Sequence, residues 1–169
     1  MRETIRAVTG AHGLRASFAP VVVARQVGNG CHLHLSAWSE GRNLFAAGDG
    51  RYGLTGRGES ILVGLLEHLP ALCAIGAHSV ASYLRLVPQH WAAPYQCWGL
   101  ENREAALRLI AGMAGWQDSS ANAELKCCGG SADPYHLAGA VAAIAAARRP
   151  QSIPPCCRRT SNLPASPER

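Results

Sequence analysis

Apolar and polar positions change their period several times along this chain, and each change predicts an element. In residues 3–12, Ile5, Val8 and His12 share a face at helical spacing, and Gly13 supplies a C-terminal stop. Residues 17–24 are apolar and β-branched around Pro20, which predicts a strand. Gly28-Asn29-Gly30 predicts a turn or bulge. Residues 31–38 then alternate strictly, with Cys31, Leu33 and Leu35 on one side and His32, His34 and Ser36 on the other. Glu40-Gly41-Arg42-Asn43 predicts a hairpin connection leading to Leu44 and Phe45.

The period returns to 3.6 over residues 59–69, where Ile61, Leu62, Leu65, Leu66 and Leu69 form a helical stripe. Pro70 opens a new turn, and residues 71–77 predict a short second helix. Residues 79–94 predict an irregular loop. Residues 95–99 and 105–110 predict strands around a turn at Glu101-Asn102, residues 111–120 a loop, and residues 121–128 a further strand. Asp133-Pro134 predicts a helix start, with Asp as cap and Pro at the first helical position, and the Ala-rich helix runs to about Ala147.

Beyond residue 147 the periodicity stops. Residues 148–169 hold five Pro, five Arg and one Glu, and disorder is expected there. The abrupt change also fits translation out of frame, which the nucleotide sequence in the other two frames would test. The domain expectation is therefore one folded unit over 1–147 and a disordered Arg/Pro-rich tail over 148–169. The tail carries most of the net charge of +5, since the body holds eleven basic and ten acidic side chains. With no basic face interleaved with aromatics, a nucleic-acid partner is not expected. The longest nearly apolar run is eleven residues, too short for a bilayer at about 20 residues, so no membrane partner is expected. The charged start is followed by no apolar run, so no secretory leader and a cytoplasmic location are expected. The seven Cys include two vicinal pairs and no CxxC, and reduced thiols are expected, with Cys73 and Cys97 as small core residues.

Three constellations carry candidate chemistry. In Gly28-x-Gly30-x-His32-x-His34-x-Ser36, two imidazoles on one strand face stand about 7 Å apart, close enough to share a metal or to bind a metal and its ligand in succession. The glycines admit a close backbone or phosphate approach. Spacing alone leaves two ordinary strand-face histidines as an equal reading. Arg85, Arg103 and Arg108 sit at loop or strand-end positions, either as bidentate anchors for carboxylate and phosphate or as solvated surface arginines. Glu124-x-Lys126 places opposite charges on one face of an apolar strand, as a partnered pair or as a metal-and-substrate site.

Four segments in order, GNGCHLHLSAW, SYLRLVPQHWAAPY, CWGLENREAALRL and AELKCCGGSADPYHLAGA, resemble the catalytic (C-terminal) domain of the glutamine synthetase family. More narrowly they resemble its glutamate–amine ligase and FluG-like branch. The likeness covers roughly residues 1–147. It implies an α/β (α+β) fold: a partial catalytic domain with a curved, mostly antiparallel sheet backed by helices. It also implies ATP-dependent joining of glutamate to ammonia or an amine, through γ-glutamyl phosphate, with Mg²⁺ or Mn²⁺. Residue by residue, His32 and Glu124 match metal ligands. His34 and Ser36 match the nucleotide-contacting end of the motif, and Arg108 a further ATP-side arginine. Arg103 matches the catalytic arginine at the transferred phosphate. Gly28 matches a backbone contact to glutamate, and Arg85 the arginine on the glutamate carboxylate. A homo-oligomer is implied as well.

The departures shape the expectation. Where ammonia-using members carry an acid after the R-L-V-P run, this chain has Trp91, which points to a bulkier, already neutral amine. Lys126 stands where a second substrate-binding arginine is expected, and a point charge replaces a fork. Val27 replaces an asparagine. The family's other metal carboxylates belong to a segment preceding the one matched here, and this sequence holds one His and one Glu for the site. Three readings follow: a glutamate–amine ligase; a catalytically incompetent fragment of one; and a zinc module built on His32, His34 and a Cys pair, against which the spacing of Cys127-Cys128 speaks.

Overall fold

The computed structural model describes residues 1–90, 94–147 and 152–155. Its centre is a four-stranded sheet of order β1-β6-β5-β4, built from β1 (Cys31–Leu35), β4 (Tyr95–Leu100), β5 (Ala105–Ile110) and β6 (Asn122–Cys128). The pairs β1/β6 and β5/β6 are antiparallel and β4/β5 is parallel. The mixed α/β architecture and mostly antiparallel sheet match the sequence expectation. A separate hairpin joins β2 (Trp38–Ser39) to β3 (Arg42–Asn43), with Glu40 and Gly41 both at positive φ (52° and 76°), the geometry of a tight two-residue turn.

Helices α2 (Gly56–Glu67), α3 (Leu69–Gly76) and α5 (Pro134–Ala147) cover one face of the sheet. Leu107, Leu109, Ala123, Leu125 and Trp98 turn towards them and join Leu62, Leu65, Leu72 and Val141 in one buried core. The helix starts follow local chemistry. Thr55 caps α2 by accepting from the Gly58 amide at 3.0 Å, and its hydroxyl donates to the Leu44 carbonyl at 3.0 Å. Thr55→Ala is expected to lower stability by about 1–2 kcal/mol in urea unfolding, since cap and loop contact go together. Asp133 Oδ1 accepts from the amides of Tyr135 and His136, as the cap reading expected. Those bonds hold its carboxyl below the usual range. Helix α1 (Arg2–Ala11) buries no residue and is tied down through Arg2, which donates to the carbonyls of Gly130 and Ala132.

Several expectations are corrected. Residues 17–24 form no strand: no neighbouring strand pairs with them, and Val22 and Val23 are exposed. Asn29 instead ties this segment back, donating to the carbonyls of Ala19 and Pro20. The long strand expected over 31–38 ends at Leu35. The loop over 79–94 contains a 3-10 turn, Val80–Leu84, and the loop over 111–120 contains a short helix, α4 (Gln117–Ser120). Residues 152–155, placed in the tail by sequence, pack inward: Ile153 is buried, and Trp98 Nε1 donates to the Pro154 carbonyl at 2.7 Å. The remainder of the expected tail lies outside the described residues. Cys97 is neither a core residue nor a reduced thiol. It stands half-buried on edge strand β4, out of phase with buried Trp98, and is disulfide-bonded.

The link between β4 and β5 departs from ordinary practice. Parallel neighbours usually need a crossover of about a dozen residues or more. Here residues 101–104 suffice. The return folds directly over Gly99, where a β-carbon would stand 2.7 Å from that of Asn102. Asn102 is buried and accepts from the Glu104 amide at 3.0 Å. Glu101 takes a positive φ of 48°, and its carboxylate accepts from the Ala111 amide. Among the described residues no single helix is long and apolar enough to cross a membrane; α2 and α3 together are, but they meet at 63° and supply core residues.

Candidate active site

The face of the sheet opposite the helices carries the candidate residues. Register fixes a row across it: His34 is opposite Glu124, Glu124 opposite Arg108, and Arg108 opposite Gly99. Alternation then puts Lys126 and His32 on the same face. Between Cys31 and Leu33 the β1/β6 register shifts by one, so Lys126 and Cys127 together oppose His32. The bulge therefore falls on β6, beside the Gly28–Gly30 segment and not within it.

Glu124 is the hub. It is 3% exposed, with Oε1 2.6 Å from His32 Nδ1 and 3.6 Å from His34 Nε2, and Oε2 2.7 Å from Arg108 Nε. That last approach is an ion pair without hydrogen-bond alignment, and Oε2 is left without a hydrogen bond. Burial holds the His32 pKa below its ordinary value, against the pull of Glu124. Lys126 is buried, its ammonium donates to the Arg103 carbonyl, and burial lowers its pKa while Glu124 opposes that.

Arg85 lies beneath the glycine segment. It is 4% exposed, and its Nη2 donates to the carbonyls of Cys127 and Cys128 at 3.1 and 3.0 Å. A β-carbon at position 28 would run into the Pro20 carbonyl and stand 2.7 Å from Arg85 Cγ; one at position 30 would stand 3.0 Å from Arg85 Nη1. Glycine is thus required at 28 by close approach. Burial depresses the Arg85 pKa, with the surrounding thiols opposing. Of the residues singled out by sequence, the structure brings His32, His34, Glu124, Lys126 and Arg108 onto one face, with Gly28 and Arg85 at its edge. Arg103 is exposed on the return and meets the group through its carbonyl. Ser36 is exposed just past the end of β1. Trp91 lies outside the described residues.

A model of the glutamine synthetase catalytic domain matches residues 1–149. The chain belongs to the glutamine synthetase family. The γ-glutamylpolyamine synthetase GlnA3 of Streptomyces coelicolor is 54% identical over 144 residues, covering 85% of this chain and 31% of that protein. A glutamine synthetase of Pyrococcus abyssi is 40% identical over 137 residues, covering 81% of this chain and 30% of that protein. Among solved structures, a glutamine synthase homologue superposes with a TM-score of 0.74 at 38% identity, over 92% of this chain and 39% of its own. An ADP complex of GmaS superposes with a TM-score of 0.72 at 32% identity, over 90% and 36%. The chain thus spans about a third of the curated relatives it matches.

In this family a divalent metal is implied. His32 Nδ1 and the Glu124 carboxylate are of the right kind, and the unsatisfied Oε2 leaves donor capacity on the acid. They fit as part of a shell: among the described residues no group of three or more His, Cys, Asp and Glu is arranged to hold a metal. The zinc module gains no support either. Cys127 and Cys128 are buried, and hydrogen bonding to Cys128, with burial adding, pushes the Cys127 thiol up to about 12.

Sequence reasoning missed Asn122. It starts β6 and its Oδ1 accepts from His34 Nδ1 at 2.8 Å. The signal was present, since Asn122-x-Glu124-x-Lys126 continues the alternation that had placed the charged pair on one face.

Proposed function

We propose that this chain contributes part of the active site of an ATP-dependent glutamate–amine ligase that forms a γ-glutamyl amide through γ-glutamyl phosphate. The observation that carries this reading is the single buried carboxylate of Glu124, held against His32 and Arg108 and facing His34 across three strands. In this reading His32 and Glu124 hold Mg²⁺ or Mn²⁺, which when bound offsets phosphate charge and polarises the γ-phosphoryl group. Arg108 and Arg103 lie along the phosphate path and stabilise charge that develops as the phosphoryl group moves. His34 and Ser36 meet the nucleotide. Gly28 and Arg85 receive glutamate, with Lys126 as a second, less directional cation. The nucleophile is an amine bulkier than ammonia, given Trp91 and the likeness to a polyamine-using relative. Homo-oligomeric assembly belongs to the same proposal, as does a folded unit over 1–147 followed by a tail, of which residues 152–155 pack back onto the unit.

A specific observation favours a second reading for the isolated chain, that of an inactive fragment: the described residues offer no complete metal shell. One assay separates them. The purified chain is given glutamate, ATP and Mg²⁺ or Mn²⁺ with ammonia, methylamine or a polyamine, and phosphate and γ-glutamyl product are measured. Product that disappears in Glu124→Ala supports the ligase; no turnover with any amine leaves the fragment reading.

A further inference from the structure

Asn122 does more than fill a strand position. Its amide orientation is set by a second bond, Nδ2 donating to the Ser120 carbonyl at 2.9 Å. The oxygen therefore faces His34, and the 2.8 Å contact requires the proton on His34 Nδ1. In the neutral ring Nε2 then carries a lone pair, and it stands 3.6 Å from Glu124 Oε1. Two acceptors so placed suit a cation or a hydrogen-bond donor; a phosphate oxygen finds no proton there.

We infer that Asn122 is a positioning residue, holding His34 as the Nδ1–H tautomer so that Nε2 acts as an acceptor. The identity of what it accepts from rests on the ligase reading: a donating group of the nucleoside, such as a ribose hydroxyl, and not the phosphate chain.

The test is nitrogen-15 NMR of the histidines in the full chain at alkaline pH, the His34 signals being those lost in His34→Gln, together with ADP titrations. Expected are a protonated Nδ1 and a bare Nε2 in the wild type, loss of that preference in Asn122→Ala, and its retention in Asn122→Asp, which keeps the acceptor. ADP affinity should fall about tenfold in Asn122→Ala, the scale of one hydrogen bond, and return in Asn122→Asp. Inorganic pyrophosphate affinity should be unchanged in Asn122→Ala. A protonated Nε2 in the wild type overturns the proposal without any variant having to fold. Unaltered ADP affinity in an Asn122→Ala protein that has lost the tautomer overturns it as well. An Nδ1–H ring in a chain that binds no ADP upholds the role of Asn122 and counts against the ligase reading instead.

Discussion

Glu124→Gln is expected to lower folding stability by about 3 kcal/mol, the scale on which a buried charge loses its partner. The carboxylate is 3% exposed and stands among Arg108, Lys126 and His32. Its replacement by a neutral amide removes the carboxylate that offsets both Arg108 and Lys126, itself 2% exposed, and Glu104 is then the remaining acid acting on Lys126. The urea midpoint should fall with the slope unchanged; an unmoved midpoint would mean that other groups neutralise these cations. The pH dependence has a defined sign. Folded His32 titrates below its ordinary value of 6.5, so the unfolded chain takes up this proton first as pH falls. Stability from this group is complete above 6.5 and declines below it. Removing Glu124, which raises the His32 pKa, widens that interval, so the variant should be the more acid-sensitive of the two.

Arg85→Leu should cost a similar amount, about 3 kcal/mol, because two buried carbonyls lose a charged donor at once. Arg85→Lys keeps the charge and offers one nitrogen, as Nη2 does, to the carbonyls of Cys127 and Cys128, but on a shorter side chain. It should recover part of the stability. If the chain turns over, Arg85→Lys should raise the KM for glutamate far more than it lowers kcat. Gly28→Ala reaches the same guanidinium from above, through the contact at Arg85 Cγ, and should reproduce the KM effect with the arginine intact. Equal KM values in all three proteins would remove Arg85 from the glutamate site.

Most of the sheet and the helices could be read from period alone, because one face of each element is buried against the others. Alternation in β1 and β6 put His32, His34, Glu124 and Lys126 on shared faces before any pairing was known. What alternation could not supply was the pairing itself. The opposition of Glu124 to His34 depends on register between strands 90 positions apart (124 − 34), and its opposition to Arg108 on the register of consecutive strands β5 and β6. The bulge on β6 was invisible for the same reason, since a bulge exists only relative to its partner strand. The run at 17–24 misled because β-branched residues favour extended backbone without guaranteeing a neighbour. Ile153 was hidden in a segment whose composition is that of a tail, and its burial depends on a core it does not help define by sequence. Arg85 looked like a loop arginine, and nothing in its own segment announced the two carbonyls waiting on β6.

The four-residue return between β4 and β5 has a mechanical consequence. Position 103 sits on the clasp, position 108 on the strand it closes onto, and the ammonium of Lys126 is hooked to the clasp's carbonyl. Positions 103 and 126 are thereby joined through one short backbone return, with Arg108 on the strand that follows it. A ligand that shifts this return therefore disturbs Lys126 as well, through the backbone carbonyl to which its ammonium is bonded.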